Sequence, residues 1–263
     1  MSKIQLSIIT INYNNLQGLQ KTIESVVSQS FKDFEYIIID GGSTDGSKVL
    51  IEKYSESITY WVSEKDNGIY PAMNKGIQVA NGEYLLFLNS GDWFYENTTL
   101  SMAIPMLRPF DIVYGNTINF KSDGTTWLQN PPAELSLYSL GYRWDSLPHQ
   151  AMFIKRNLFE KYGGYDENLK MVADWAFYLI AIFKHNCSYK RIDNTIAWYY
   201  FEGFSANINN EPLQKTERAL VLEQHFKNHI GLMKEAEQLK LKITGYQQSR
   251  LLKALKRLGL LKL

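Results

Sequence analysis

The chain carries one cysteine, Cys187, and four histidines among 263 residues. A lone cysteine excludes an internal disulfide framework, fits a reducing compartment, and reads as a small core residue. His149, His185, His225 and His229 fall at spacings that make no shared metal site. Excess charge of either sign is missing too. There are 28 basic residues against 27 acidic ones, a formal charge of +1, which argues against a generally basic nucleic-acid protein. No hydrophobic run reaches the ~20 residues a membrane helix needs, and Ile4-Gln5-Leu6-Ser7-Ile8-Ile9 is too short and interrupted for a leader. These absences imply a cytoplasmic chain, peripheral at most on the inner face of a membrane. Two nucleotide signatures are absent as well, the Gly-Lys-Ser/Thr of ATPases and the Gly-x-Gly-x-x-Gly of dinucleotide enzymes. What is present, 45% hydrophobic and 21% charged residues, is the composition of a globular chain with a full core.

The first half alternates two hydrophobic periods. Ile4 to Ile11 reads as a strand, and Leu16 to Val27 as a helix with Leu16, Leu19, Ile23, Val26 and Val27 on one face. Tyr36 to Asp40, Ile58 to Val62 and Tyr84 to Leu88 read as further strands. Helices are expected near Val49 to Tyr54 and from Tyr70 to Ala80, the latter with Pro71 in its first turn and Asn81-Gly82 behind it. Strand and helix in alternation predict an α/β fold: a Rossmann-like, mostly parallel sheet with helices on both faces. The second half is less regular. Asp111 to Phe120 and Trp127 to Leu128 suggest a hairpin around Ser122-Asp123-Gly124, Asp174 to Phe183 a helix, and Tyr189 to Ile192 and Ile196 to Phe201 two late strands. One continuous domain over residues 1–211 is expected, with a nucleotide half (1–105) and an acceptor half (106–211). A helical tail follows at 212–263.

Parallel strands finish on one edge, so Asn12-Tyr13-Asn14, Asp40 and Asn89-Ser90-Gly91-Asp92 should converge where open α/β sheets hold their ligands. Each also has a local reading. Asp40 can bond the turn after it, Ser43 and Asp45 can cap a helix, and Asp92 and Asp174 can each cap the next one.

Four segments, in order, resemble the inverting glycosyltransferases of family 2 with the GT-A fold: "SIITINYNN" (Ser7 to Asn15), "YIIIDGGSTDGS" (Tyr36 to Ser47), "SEKDNGIYPAMNKGI" (Ser63 to Ile77) and "LLFLNSGDWF" (Leu85 to Phe94). The resemblance implies transfer of a sugar from a nucleotide diphosphate donor to a saccharide or lipid-linked saccharide. It places Tyr13 beside the nucleotide and lets Asp40 accept from a base N–H, with uracil the favoured base. Asp66 joins the donor site. Asn74 bonds the ribose or braces a loop, and Lys75 approaches phosphate. In Asn89-Ser90-Gly91-Asp92 the family's acidic metal motif is reduced to one carboxylate, leaving Asp92 as ligand for Mg²⁺ or Mn²⁺. "MVADWAFYLI" (Met171 to Ile180) puts Asp174 in place of the family's base and Ala173 in place of its other acid. His149 and Trp175 are expected at the acceptor or diphosphate, and Trp93, Trp144 and Trp175 as sugar platforms.

From Lys240 onward no acidic residue occurs and cations interleave with leucines, a basic amphipathic tail. It suits either an anionic membrane surface or packing on its own domain or a twin subunit in a homodimer. Two other functions fit the same sheet: a sugar nucleotidyltransferase, for which "NYNNLQGLQK" is a poor triphosphate loop, and a noncatalytic sugar-binding or assembly subunit.

Overall fold

The computed structural model describes residues 4–142, 146–203 and 208–248. Its first half is laid down as the periodicity predicts. Strand β1 (Leu6–Asn12) leads to helix α1 (Leu16–Val27), whose N-terminus is capped by the Asn15 side chain accepting from Gly18 N. Then come β2 (Phe34–Asp40), α2 (Ser47–Lys53), β3 (Tyr60–Ser63), α3 (Ile69–Val79) and β4 (Tyr84–Phe87). All four strands are parallel, in spatial order β3-β2-β1-β4. Period-two alternation buries both faces. Ile9, Ile37, Ile39, Leu85 and Phe87 meet α3 on one side, whereas Leu6, Ile8, Ile38 and Leu86 meet α1 and α2 on the other.

The second half extends the sheet by returning through it. A two-residue strand β5 (Trp93–Phe94) follows Asp92 directly, then α4 (Thr99–Ala103), β6 (Ile112–Phe120), β7 (Thr126–Gln129), β8 (Met152–Lys155), α5 (Arg156–Tyr162), α6 (Ala173–Phe183) and β9 (Tyr189–Tyr200). The order runs on from β4 as β8-β6-β9-β5, with β7 hairpinned onto β6 as expected. Strands β1, β2, β3, β4, β6 and β9 share one direction, and β5, β7 and β8 oppose it. The two expected late strands are a single strand. Asp193-Asn194-Thr195 has turn composition, but register shifts between Tyr114 and Thr117 absorb it as a bulge, and a Cβ on Gly115 would sit 2.6 Å from Asn194 O. Strands β5 and β8 and helices α4 and α5 are too short for periodicity to mark.

The tail is not separate from the domain. Helix α7 (Glu211–Gln248) starts at the expected boundary, but Val221, Leu222, Phe226 and Met233 are buried against the rest of the chain, and non-helical angles at Phe226 mark a kink. Beyond it Leu232, Leu239, Leu241 and Ile243 are exposed. Residues 249–263, most of the basic amphipathic stretch, lie outside the described residues, as does Trp144. No described helix is long and apolar enough to cross a membrane.

Helix α3 approaches β1 so closely that a Cβ on Gly76 would lie 2.5 Å from Ile9 Cγ2. Gly76→Ala should therefore destabilise the fold by about 1–3 kcal/mol, read as a lowered urea midpoint with an unchanged m-value.

Candidate functional site

The β1–β2 register places Asn12 opposite Asp40 at the strand ends. Asp40 is fully buried and its carboxylate accepts four hydrogen bonds: from Asn12 Nδ2 (2.7 Å), Ser43 Oγ (2.5 Å), Ser43 N (3.0 Å) and Ser63 Oγ (2.6 Å). Burial alone would raise its pKa, but these donors outweigh it and hold the carboxyl below the ordinary value. All its acceptor positions are thus taken by the protein, and a base N–H would reach Asp40 only by displacing one of them. The local reading of Asp40, bonding the turn after it, is realised. Asp45 likewise accepts from Leu16 N and from Ser47 N and Oγ, tying the starts of α1 and α2 together.

Around this knot lie groups that remain available. Tyr13, 69% exposed, presents its ring over Gly41, where an added Cβ would meet Tyr13 Cδ2 at 3.2 Å and Asp66 Oδ2 at 3.6 Å. Gly41 therefore keeps a flat aromatic and a carboxylate side by side. Asp66 is paired with Lys75 Nζ, which also binds Glu64 at 2.6 Å, so Lys75 is held by carboxylates. Three buried oxygens along this edge, Asn12 Oδ1, Asp66 Oδ2 and Asn89 Oδ1, accept no hydrogen bond from the protein. Buried acceptors without donors are costly, and their alignment on one edge suits a ligand rich in N–H and O–H groups.

The turn after β4 answers to α1. Gly91, at φ +101°, takes a left-handed conformation in which its N–H donates to Thr22 Oγ1, while Asn15 Nδ2 donates to Ser90 O and Oγ. The turn delivers Asp92 inward, not to a helix N-terminus. Its carboxylate accepts from Tyr200 N at 3.1 Å and from the Gln150 side chain. Burial pushes its pKa up to about 7, against the pull of nearby His149 and those two hydrogen bonds. A carboxylate this reluctant to ionise is one that a cation would relieve. Among the described residues no three His, Cys, Asp or Glu side chains form a cage. Asp92, the expected ligand, would offer a divalent cation a single carboxylate, with phosphate oxygens and water completing the shell.

Beside this turn opens a cleft of about 410 Å³, bounded by Tyr70, Asn89, His149, Gln150, Asp174, Tyr199, Phe201 and the α7 residues Glu211, Gln214 and Arg218. Asp174 is in the first turn of α6 but does not cap it. Its Oδ1 accepts from Tyr70 OH at 2.8 Å and its Oδ2 faces His149 Nδ1 at 3.2 Å. His149 Nε2 lies 3.3 Å from Asn89 Nδ2. Burial would raise the Asp174 pKa, but His149 and Tyr70 bring it below normal. Burial would lower that of His149, but Asp174, and then the charge of Asp92, bring it above normal. His149 thus bridges Asp174 and Asn89, and Asp92 lies near enough for its charge to act on the ring.

Several expected site residues have other work. Asn74 donates to Tyr165 O (2.9 Å) and Glu167 Oε1 (2.8 Å) and accepts from Tyr165 N (2.8 Å), so it braces the loop before α6, leaving no group for a ribose. Trp175 is 2% exposed, donates to Leu140 O at 3.0 Å and carries the Arg218 guanidinium on its ring at 4.7 Å. It is a wall of the cleft, too deep for a sugar platform. Trp93 packs with Phe120 and Trp198 beyond Asp92. Tyr70 is a site residue that the sequence reading does not single out, although it sits inside a motif segment. Residues Glu211, Gln214 and Arg218 carried no signal, because only tertiary packing brings α7 over the cleft.

A mostly parallel sheet with a nucleotide-type edge and a second-half cleft defines a GT-A transferase. The chain belongs to glycosyl transferase family 2, whose model matches residues 7–163, and it is a glycosyltransferase. An uncharacterized glycosyltransferase of Mycobacterium tuberculosis is 36% identical over 181 residues, 67% of this chain and 68% of that protein. A PGL/p-HBAD biosynthesis glycosyltransferase of Mycobacterium bovis is 31% identical over 183 residues, 67% and 69% of the two chains. Among solved structures, Staphylococcus aureus TarS 1-349 in complex with UDP-GlcNAc shares the fold at TM-score 0.64 and 19% identity, covering 84% of this chain and 67% of that one. A mannosyltransferase from Pyrobaculum calidifontis in complex with GDP-Man and Mn²⁺ does so at TM-score 0.58 and 18% identity, covering 86% and 64%.

The His149–Asp174 pair carries a pH signature. A raised histidine stabilises the fold fully below its ordinary 6.5 and loses that contribution as pH rises through the folded value. A depressed aspartate contributes above its ordinary 3.8 and fades as pH falls through the folded value. Both contributions coincide between those ordinary values. His149→Gln should therefore lower stability by about 1–3 kcal/mol near pH 5.5 and by less near pH 9. Equal losses at both pH values, measured by urea denaturation, would contradict the ion pair.

Proposed function

We propose that the chain is an inverting glycosyltransferase that moves a sugar from a nucleotide diphosphate sugar, UDP-linked by first preference, to a hydroxyl of a saccharide or lipid-linked saccharide. The observation that carries this reading is the Asp174–His149 contact in the cleft, with Asp92 close enough to His149 for their charges to interact. In this reading Asp174 meets the incoming hydroxyl and Asp92 serves the leaving diphosphate. The base stacks against Tyr13 and bonds the acceptors beside Gly41. Asp66, Asn12 and, on rearrangement of its serine partners, Asp40 are the groups available to it. Asn89, Ser90 and Gly91 shape the turn below the diphosphate. UDP-GlcNAc and GDP-Man in the two structural neighbours support a nucleotide-sugar donor.

Inversion needs a single displacement with one base and no protein nucleophile. The acceptor hydroxyl gives its proton to Asp174 while its oxygen attacks the anomeric carbon, and the bond to the donor phosphate breaks with its electron pair leaving on the diphosphate. Tyr70 and His149 hold Asp174 ionised and aimed, so it is a weak base but a correctly charged one. His149, its pKa raised by Asp174, would when protonated also place positive charge near the leaving group. Asp92 would hold Mg²⁺ or Mn²⁺, which would supply Lewis-acid neutralisation of that diphosphate.

The exposed apolar residues at the end of α7 and the cationic stretch after Lys240 support a peripheral site on an anionic cytoplasmic membrane face. A version ending near Thr244 should float less with anionic liposomes than the full chain. Equal flotation removes the membrane from the proposal.

Asp174→Asn should reduce sugar transfer by about 10²–10⁴-fold while leaving donor binding intact, measured as nucleotide-sugar-induced thermal stabilisation beside turnover. Transfer near normal in that variant would remove Asp174 as the base. Donor binding without any turnover by the unsubstituted chain would favour a sugar-binding subunit. Asp92→Asn should abolish the Mn²⁺-dependent part of donor binding, and full activity in excess chelator would exclude the metal.

A further inference from the structure

Strands β6, β7 and β9 continue the cleft into a shelf whose composition none of the roles above uses. The registers set Asn119 opposite Trp127 on one side and Tyr199 on the other, and Thr117 opposite Gln129. Alternation therefore puts these side chains on one face. Thr117 Oγ1 donates to Asn119 Oδ1 (2.9 Å), Asn119 Nδ2 to Gln129 Oε1 (3.1 Å), and Gln129 Nε2 to Ser146 O (3.3 Å), a row of aligned amides. Above it, Trp127 meets Phe201 edge-on at 4.9 Å, and Phe201 meets Tyr199 at 5.7 Å. Phe201 is 36% exposed, and Trp127 and Tyr199 are half-buried. Gln129, Tyr199 and Phe201 also line the cleft that holds Asp174, so shelf and cleft are one surface.

We propose that this shelf is a second saccharide subsite, holding the sugar unit next to the one that receives the transferred sugar, so that the acceptor is an oligosaccharide. The inference rests on the glycosyl-transfer reading above. A sugar ring has an apolar C–H face and a polar rim, and the partly exposed rings with the half-buried Gln129 amide at their edge match both, while Thr117 and Asn119, buried beneath, hold Gln129 in place. Continuity with the cleft that holds Asp174 favours a saccharide over a lipid surface as the occupant.

The test uses the full chain on an array of mono- to hexasaccharides, with UDP- and GDP-induced thermal stabilisation measured in parallel. Oligosaccharides of two or more units should be retained over monosaccharides. Trp127→Ala and Phe201→Ala should each weaken that retention by about tenfold with nucleotide stabilisation unchanged, and Trp127→Phe, which keeps a ring, should restore most of it. Retention of no oligosaccharide, retention unaffected by either alanine, or loss in these variants of binding to anionic phospholipid vesicles in its place would each overturn the subsite. Absence of stabilisation by either nucleotide would instead strike the glycosyl-transfer reading, which separates the two failures.

Discussion

Seven successive residue pairs lock β1 to β2 in parallel, and everything at the reactive edge inherits its place from that register. Asn12 faces Asp40 because Leu6 faces Phe34. A slip of one residue would turn the isoleucines of both strands out of their layers and carry Asp40 away from Ser43 and Ser63. The chain pays for a buried carboxylate here with four donors, and the return is a rigid Gly41-Gly42-Ser43 turn. Against that fixed turn, Tyr13 and Asp66 both close in on Gly41, and the Asn89–Asp92 turn is pinned to α1 by Asn15 and Thr22. Rigid elements with a few groups left unsatisfied are how a scaffold keeps affinity for a ligand without rebuilding itself on binding.

Much of this was legible before folding. The β1 to β4 alternation, the hairpin and α6 follow from hydrophobic period, and the meeting of Asn12 with Asp40 at the strand ends follows from strand polarity alone. What could not be read were relations between side chains. Sequence spacing does not say that Asn74 turns toward Tyr165 and Glu167, nor that Trp175 points into the core under Arg218. Both sit in family-like segments, and both take structural work that the segment pattern does not encode. The late strand was split in two because Asp193-Asn194-Thr195 looks like a turn until β6 pairs with both flanks.

Helix α7 shows a related limit. Read as a tail, its first turns contribute Glu211, Gln214 and Arg218 to the cleft, and Glu217 accepts from Lys170 N and Met171 N just before α6. Asp174 follows three residues after Met171. The C-terminal helix therefore helps set the start of the helix bearing the proposed base, and the cleft is shared between the sheet and the chain's last described element.

One seam crosses the sheet. Only Tyr84↔Lys155 and Leu85↔Ile154 pair β4 with β8, and these two pairs are where the first four strands meet the rest of the sheet. Asp92 hangs from one bank of that seam and His149 from the other. A molecule touching both would act as a rivet across the thinnest line of the scaffold, so each substrate that settles there makes the shape its co-substrate requires harder to lose.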